Sequence, residues 1–378
     1  MSPHLPSQGL SLFRRGLGAL CLFDALMRLG SASFLLSDLG AMPRAVYYTL
    51  FDTNWNWSVY LVSGRTEFAL VLLLVTALLG VLNLAGKSTR WSRAALWVLV
   101  ASVQVRNPGL LDSADDLLRL LLFWDIFLPC ESSEPVQISS PATLGLQAQL
   151  TLTLLFTAFF MTGERFALAA QWGLATQASS FPWFFTLERV VLVLLALALW
   201  WPGTRKPLLI LGVLALAGQA LLLGFAFPLT LAVGLLSLLS FKEHAVREES
   251  YSKVQYVAVL TLTAVCLATN LSKAETVERW SEALAVEQDW SQLYPRASRS
   301  LYEVVVKSPQ GTVWFITRDS GRRLRNYAQQ IGENYLWAHN LPRAIAQEQG
   351  LETSLTVLVS ETEVKPDFSF GEFKVVKL

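Results

Sequence analysis

Between Pro207 and Phe241 the chain runs for 35 residues without a charged side chain. As a single helix this stretch would be about 50 Å long at ~1.5 Å per residue. A bilayer core is only about 30 Å thick. The run is too long for one crossing and the right length for two, and Gly224 and Pro228 near its middle supply the turn. It reads as a membrane hairpin. A buried hairpin of a large soluble protein gives the same local pattern, but here the pattern recurs along the chain. Composition points the same way: 53% of residues are hydrophobic and 16% charged, where soluble domains carry about 25% charged residues. The net charge of +1 implies no nucleic-acid or other polyanionic partner. Cys21, Cys130 and Cys266 lie in or beside apolar segments, without zinc spacing or a disulfide framework, and read as small core residues.

Further spans follow from uncharged windows: Phe68 to Gly86, Leu144 to Met161, Val190 to Gly203 (extended back by the apolar Phe181 to Leu187 across Glu188 and Arg189), and Val254 to Leu271. Three more contain charge, about Leu12 to Leu35, Trp91 to Val105, and Ala114 to Leu128. The second of these spans only if Arg93 and Arg106 snorkel to opposite interfaces. With the hairpin counted as two, nine spans are expected, in a polytopic α-helical membrane protein. A cytoplasmic N-terminus puts Arg14, Arg15, Lys87, Arg90, Arg93, Arg205, Lys206, Lys242, Arg247 and Lys253 inside. Arg44, Arg65, Arg106 and Arg165 then lie outside, which agrees with the positive-inside rule. Nine spans leave the C-terminus outside. Asp24 and Arg28 speak against a cleaved signal peptide in the first segment, although Ser31-Ala32-Ser33 would suit a cleavage site.

The first outside loop is crowded with aromatics: Tyr47, Tyr48, Phe51, Trp55, Trp57 and Tyr60. Such residues favour the headgroup level, so the loop is expected to lie on the membrane surface. It reads as an interfacial anchor or as part of a pocket mouth.

Residues 1–272 form the expected membrane domain and 273–378 a small extracytoplasmic α+β domain. In the latter, Thr276 to Asp289 looks helical, and Leu301 to Lys307 and Thr312 to Arg318 alternate like strands across the turn Ser308-Pro309-Gln310-Gly311. Leu324 to His339 and Leu341 to Gln349 read as helices, Leu355 to Ser360 as a strand, and Phe373 to Val376 as an edge. Arg322, Arg323 and Arg325 form a basic cluster, either solvated or in contact with the membrane surface.

Ionisable residues inside a membrane are expensive and mark candidate sites. Asp24 and Arg28 stand four apart, as do Asp115 and Arg119, and Asp116 reaches Arg119 at three. Asp125 is more isolated. Arg106, Asn107, Asp115 and Arg119, with Asp24 and Arg28, are the candidate lining of a polar cavity near the outer leaflet. Asp115 is the candidate general acid or base. The alternative is a set of salt bridges that lock helices together and bind nothing. His4, His244 and His339 all fall outside the expected spans, and no lysine falls within one. No metal cluster, phosphate loop, nucleophile elbow or internal repeat is legible.

Several elements occur in order: Asp24…Arg28, Ser37-Asp38-Leu39-Gly40 with Pro43-Arg44, Trp57-Ser58, Arg106-Asn107-Pro108, Asp112-Ser113-Ala114-Asp115 with Leu117-Leu118-Arg119, and Phe127-Leu128-Pro129. Further on, Asp289-Trp290-Ser291 and Tyr294-Pro295 precede Tyr302 to Val306. Together these resemble the HTTM membrane domain, the bacterial relatives of vitamin K-dependent gamma-carboxylase, over nearly the whole chain. The family's carboxylases use a reduced quinone and oxygen to carboxylate glutamates of a secreted peptide. The position of their catalytic lysine corresponds here to Met161 and Thr162, and the span matching their histidine-bearing helix, Leu208 to Phe225, has no histidine. Ser113 and Ala114 stand where the family has paired glycines. Neither Met nor Thr ionises to deprotonate a hydroquinone at neutral pH.

The resemblance therefore implies a bacterial inner-membrane protein without carboxylase chemistry, acting in maturation or handling of a secreted peptide. Bacterial HTTM proteins linked to sporulation-delaying toxin maturation are the analogy. The alternative is a membrane enzyme acting on a quinone or lipid through Asp115, Arg106 and Arg119. Expected partners are the bilayer, a secreted peptide or a membrane protein. A reduced quinone is the only cofactor the resemblance suggests. A transporter fits less well, for lack of an inverted repeat.

Overall fold

The computed structural model describes residues 4–51, 57–129, 136–160, 182–201, 226–239, 246–248, 253–271, 300–309, 311–316, 341–349, 355–364 and 370–377 as continuous segments. Shorter pieces are described at 209, 212–217, 220, 279, 283–286, 327–328, 330–332, 334, 338, 340 and 351. The chain is mostly helical, with a small sheet near its C-terminus.

The long helices are α1 (Ser7–Leu29), α4 (Thr66–Leu84), α5 (Arg90–Arg106), α6 (Ser113–Phe127), α7 (Pro141–Phe160), α8 (Pro182–Ala198), α9 (Ala226–Leu236) and α10 (Lys253–Leu271). The short helices α2 (Ala32–Leu36) and α3 (Arg44–Leu50) lie between α1 and α4, and α11 (Leu341–Glu348) lies in the C-terminal region. Local chemistry sets several starts. Thr89 caps α5 and Asp112 caps α6, each in a reciprocal capping box with the residue three further on, Ser92 and Asp115.

Long-range contacts show α1 and α6, and likewise α7 and α8, running in opposite directions. Arg14 near the start of α1 meets Asp125 near the end of α6, while Arg28 at the end of α1 meets Asp115 at the start of α6. Gln147 of α7 donates to the Leu199 carbonyl just past α8. Glycine permits the closest of these approaches. A methyl group on Gly80 of α4 would lie 3.0 Å from both the Gly18 carbonyl oxygen and the Leu22 nitrogen of α1. Small residues let two helix backbones meet in this way.

One end of the bundle, here called basal, carries a three-stranded sheet: β1 (His4–Pro6), β2 (Gln137–Ser139) and β3 (Val246–Glu248). β1 pairs antiparallel and β3 parallel to β2. The opposite, apical end carries β4 (Ser300–Ser308), β5 (Gly311–Ile316), β6 (Thr356–Val364) and β7 (Phe370–Lys377), in the order β5-β4-β6-β7, all antiparallel. Gly311 opens β5 at φ +144°, a conformation that favours glycine. The apical sheet does not stand alone. Val304, Tyr327 and Ile345 share one buried cluster with Phe34, Met42, Tyr47 and Leu110. Asn340 Nδ2 also donates to the Gly40 carbonyl at 2.6 Å.

The expected strands are present, with β7 extending further than Phe373 to Val376, and α11 matches its expectation. Most of the expected helix 276–289, and Arg322, Arg323 and Arg325, lie outside the described residues. Two expectations need correction. Among the described residues, two helices are long and apolar enough to cross a membrane, Thr66–Leu84 and Pro141–Phe159, rather than nine. The reason is charge and length. α1 carries Arg14, Arg15, Asp24 and Arg28, α5 begins and ends on arginine, and α6 has 15 residues with Asp115, Asp116, Arg119 and Asp125 among them. Most of the 207–241 run lies outside the described residues up to α9. The second correction concerns the aromatic loop. Tyr47 and Tyr60 are buried, and the Trp57 indole donates to the Ala283 carbonyl at 3.0 Å. Among the described rings, Tyr47 and Tyr60 pack inward instead of joining a surface belt, Phe51 and Trp57 are half-buried, and Tyr48 is exposed.

Candidate functional site

The expected intrahelical charges divide into separate networks. At the basal end, Asp125 is fully buried and its Oδ1 takes Arg14 Nε at 2.8 Å and Arg93 Nη1 at 3.2 Å. Arg14 also donates to the carbonyls of Leu128 and Pro129, and Arg93 to that of Asp125. Asp125 is thus not isolated, because helices α1 and α5 each bring it a cation.

Toward the apical end, Arg28 bridges two carboxylates. Its Nε lies 2.7 Å from Asp24, the expected neighbour, and its Nη2 lies 3.2 Å from Asp115 on α6. The expected Asp115–Arg119 pair does not form. Arg119 instead pairs with Asp116 at 3.0 Å, one helical turn back at i,i+3 spacing. Asp115 is buried and both its oxygens are engaged: Oδ1 by Arg28, Oδ2 by the Asp112 amide at 3.0 Å. Its carbonyl accepts from Gln104. A carboxylate held this way closes the α6 cap and ties α6 to α1.

Arg106 belongs to a third group, with Asp38 and Arg44. It is completely buried; its Nη2 lies 3.6 Å from Asp38 and 3.4 Å from the Ser37 carbonyl. Its Nε and Nη1 have no hydrogen-bond partner among the described residues. Asn107 next to it donates to the Leu35 carbonyl at 3.2 Å. Arg106, Asp115 and Arg119 thus have different ion-pair partners: Asp38, Arg28 and Asp116.

The open space lies beside them. Asp38, half-exposed, accepts Arg44 Nη2 at 2.7 Å and the Arg44 amide at 2.9 Å. Its own amide donates to Gly64 at 2.9 Å. Burial pushes the Asp38 carboxyl upward, but the hydrogen bonds from Arg44 and the charges of Arg44 and Arg106 outweigh this and hold it below the usual carboxylate range. The same pairing raises Arg44. Asp38 and Arg44 form one wall of a cavity of about 560 Å³, and Ser63, Arg65, Thr66 and Glu67 at the start of α4 form the other. The sequence showed Asp38 and Arg44 only as parts of a motif. Their spacing of six, across Gly40 and Pro43, was the available sign of a turn closed by an ion pair.

No group of three or more His, Cys, Asp or Glu is placed to hold a metal among the described residues. Comparison of the chain with protein-family models, with curated proteins and with solved structures gives no match.

Proposed function

We propose that the protein is a multi-pass bacterial inner-membrane protein of the HTTM kind, with a cytoplasmic N-terminus and an extracytoplasmic apical domain, and that it handles or matures a secreted peptide without carboxylase chemistry. The membrane reading is supported by where the polarity sits. Charged side chains pair in the bundle interior, while the outer faces carry apolar stripes. On α4, Val71, Leu74, Val75, Leu78 and Val81 are exposed at helical spacing; on α8, Leu187, Val190, Leu194 and Leu197 are. In water this arrangement would be unfavourable in both places. In a bilayer the stripes meet lipid, and the ion pairs avoid it. Threonines at 76, 151, 153, 157, 230 and 263 bond back to carbonyls of their own helix, which satisfies their hydroxyls without water.

The peptide reading is carried by one observation: β5 and β7 are the outer strands of the apical sheet, and neither has a further strand beside it among the described residues. An extended peptide adds to such an edge through main-chain hydrogen bonds, with side-chain pockets supplying selectivity. The test is photocrosslinking from Val375 on β7 in intact cells. Crosslinks to a small secreted peptide support the reading. Crosslinks only to the chain itself, or none, remove its basis. Resistance to alkaline extraction tests the membrane placement independently.

A further inference from the structure

The apical cavity has unspent charge. Arg65 and Glu67 are exposed on its rim and form no ion pair among the described residues. Arg44, by contrast, is committed to Asp38 and to the carbonyls of Leu61 and Val62. α4 begins at this rim with Arg65 in the cap position and no side chain capping its first turn. Those amides, with the helix dipole and the Arg65 guanidinium, favour an anion. Behind the wall, Asp38 faces two guanidiniums, Arg44 and Arg106, which leaves positive charge in excess. The carboxylate of Glu67 stands two residues from Arg65, so the rim offers both signs. Below the cavity the same helix turns apolar: Val71 and Leu74 are each 56% exposed and Leu78 is 58% exposed.

We infer that the cavity binds the headgroup of a zwitterionic, aminated phospholipid. The phosphodiester meets Arg65 and the uncapped amides of α4, the ammonium meets Glu67, and an acyl chain follows the stripe from Val71 to Leu78. A cavity of about 560 Å³ lies within the roughly 300–1,000 Å³ of small-ligand sites. Free phosphate shares the first contact but leaves Glu67 facing an anion and the stripe unused. The inference rests on the membrane placement proposed above.

The experiment is native mass spectrometry of the full chain purified in detergent, titrated with phosphatidylethanolamine, phosphatidylglycerol or inorganic phosphate. Wild type is expected to retain phosphatidylethanolamine in preference to phosphatidylglycerol. Arg65→Ala is expected to weaken both lipids roughly tenfold, the worth of one charge-assisted hydrogen bond. Glu67→Gln is expected to abolish the preference while keeping phosphatidylglycerol. Both residues are exposed, so neither variant endangers folding. Wild-type retention by Arg65→Ala, or displacement of lipid by inorganic phosphate, overturns the inference. A chain that resists alkaline extraction yet shows no lipid preference overturns this inference alone. A chain released by that extraction overturns the membrane placement as well.

Discussion

Replacing Asp125 with asparagine keeps its shape and removes its charge. Two buried cations then lose their anion: Arg14, 2% exposed, and Arg93, 3% exposed, which approach it at 2.8 and 3.2 Å. Breaking a buried pair by removing one partner costs about 3–5 kcal/mol, because the remaining charge stays buried. The folded-to-unfolded ratio should fall by roughly two to three and a half orders of magnitude. The half-exposed Asp38–Arg44 pair is the internal control, since pairs of that kind are worth about 0–1 kcal/mol; Arg44→Ala should therefore cost far less. The assay is reversible unfolding in mixed micelles, with the same detergent composition for every variant. A triple replacement, Arg14→Met, Arg93→Met and Asp125→Leu, should recover much of the loss, because an apolar substitute for a whole buried network is often neutral or better. If Asp125→Asn costs less than about 1 kcal/mol, the basal network is not what holds α1, α5 and α6 together.

Gly18→Val should separate α1 from α4 and cost about 1–3 kcal/mol in the same unfolding assay, since its side chain would run into the α4 backbone. Asp38 has a lowered carboxyl pKa, so its contribution to stability is present above the unfolded-state pKa and is lost as pH falls through the folded value. Melting temperature plotted against pH should therefore converge for wild type and Asp38→Asn only below the ordinary carboxylate range. Gly311→Ala should strain the β4–β5 turn by roughly 1–2 kcal/mol, visible as faster amide exchange in β5. Phe34→Ala, which removes a ring 6.0 Å from that of Trp314, should leave the helices intact while making the apical sheet more sensitive to limited proteolysis.

The long apolar helices α4 and α7 and the positions of the apical strands along the chain were legible because both depend on local periodicity. Asp24–Arg28 was legible for the same reason, since helix geometry alone brings residues four apart together. That rule failed for Asp115, whose cation arrives from another helix, 87 residues earlier in the chain. Asp125 read as isolated because its partners stand 111 and 32 residues away. Only packing reveals such neighbours. The cavity escaped notice because it joins the turn at Asp38 and Arg44 to the start of α4, two places with no common sequence signal.

The buried cluster joining Phe34, Met42 and Tyr47 to Val304, Tyr327 and Ile345 imposes a timetable on biosynthesis. Gly40 waits for Asn340, 300 residues later. At about 5–20 residues per second that interval is roughly 15–60 seconds. Throughout it, the apical turn lacks the apolar side chains of the apical sheet and its helices that later cover it. A ribosome stalled before residue 300 would release a chain with its early helices able to pair but that turn permanently uncovered. Quality-control proteases on the apical side would then have a ready way to tell an unfinished chain from a finished one.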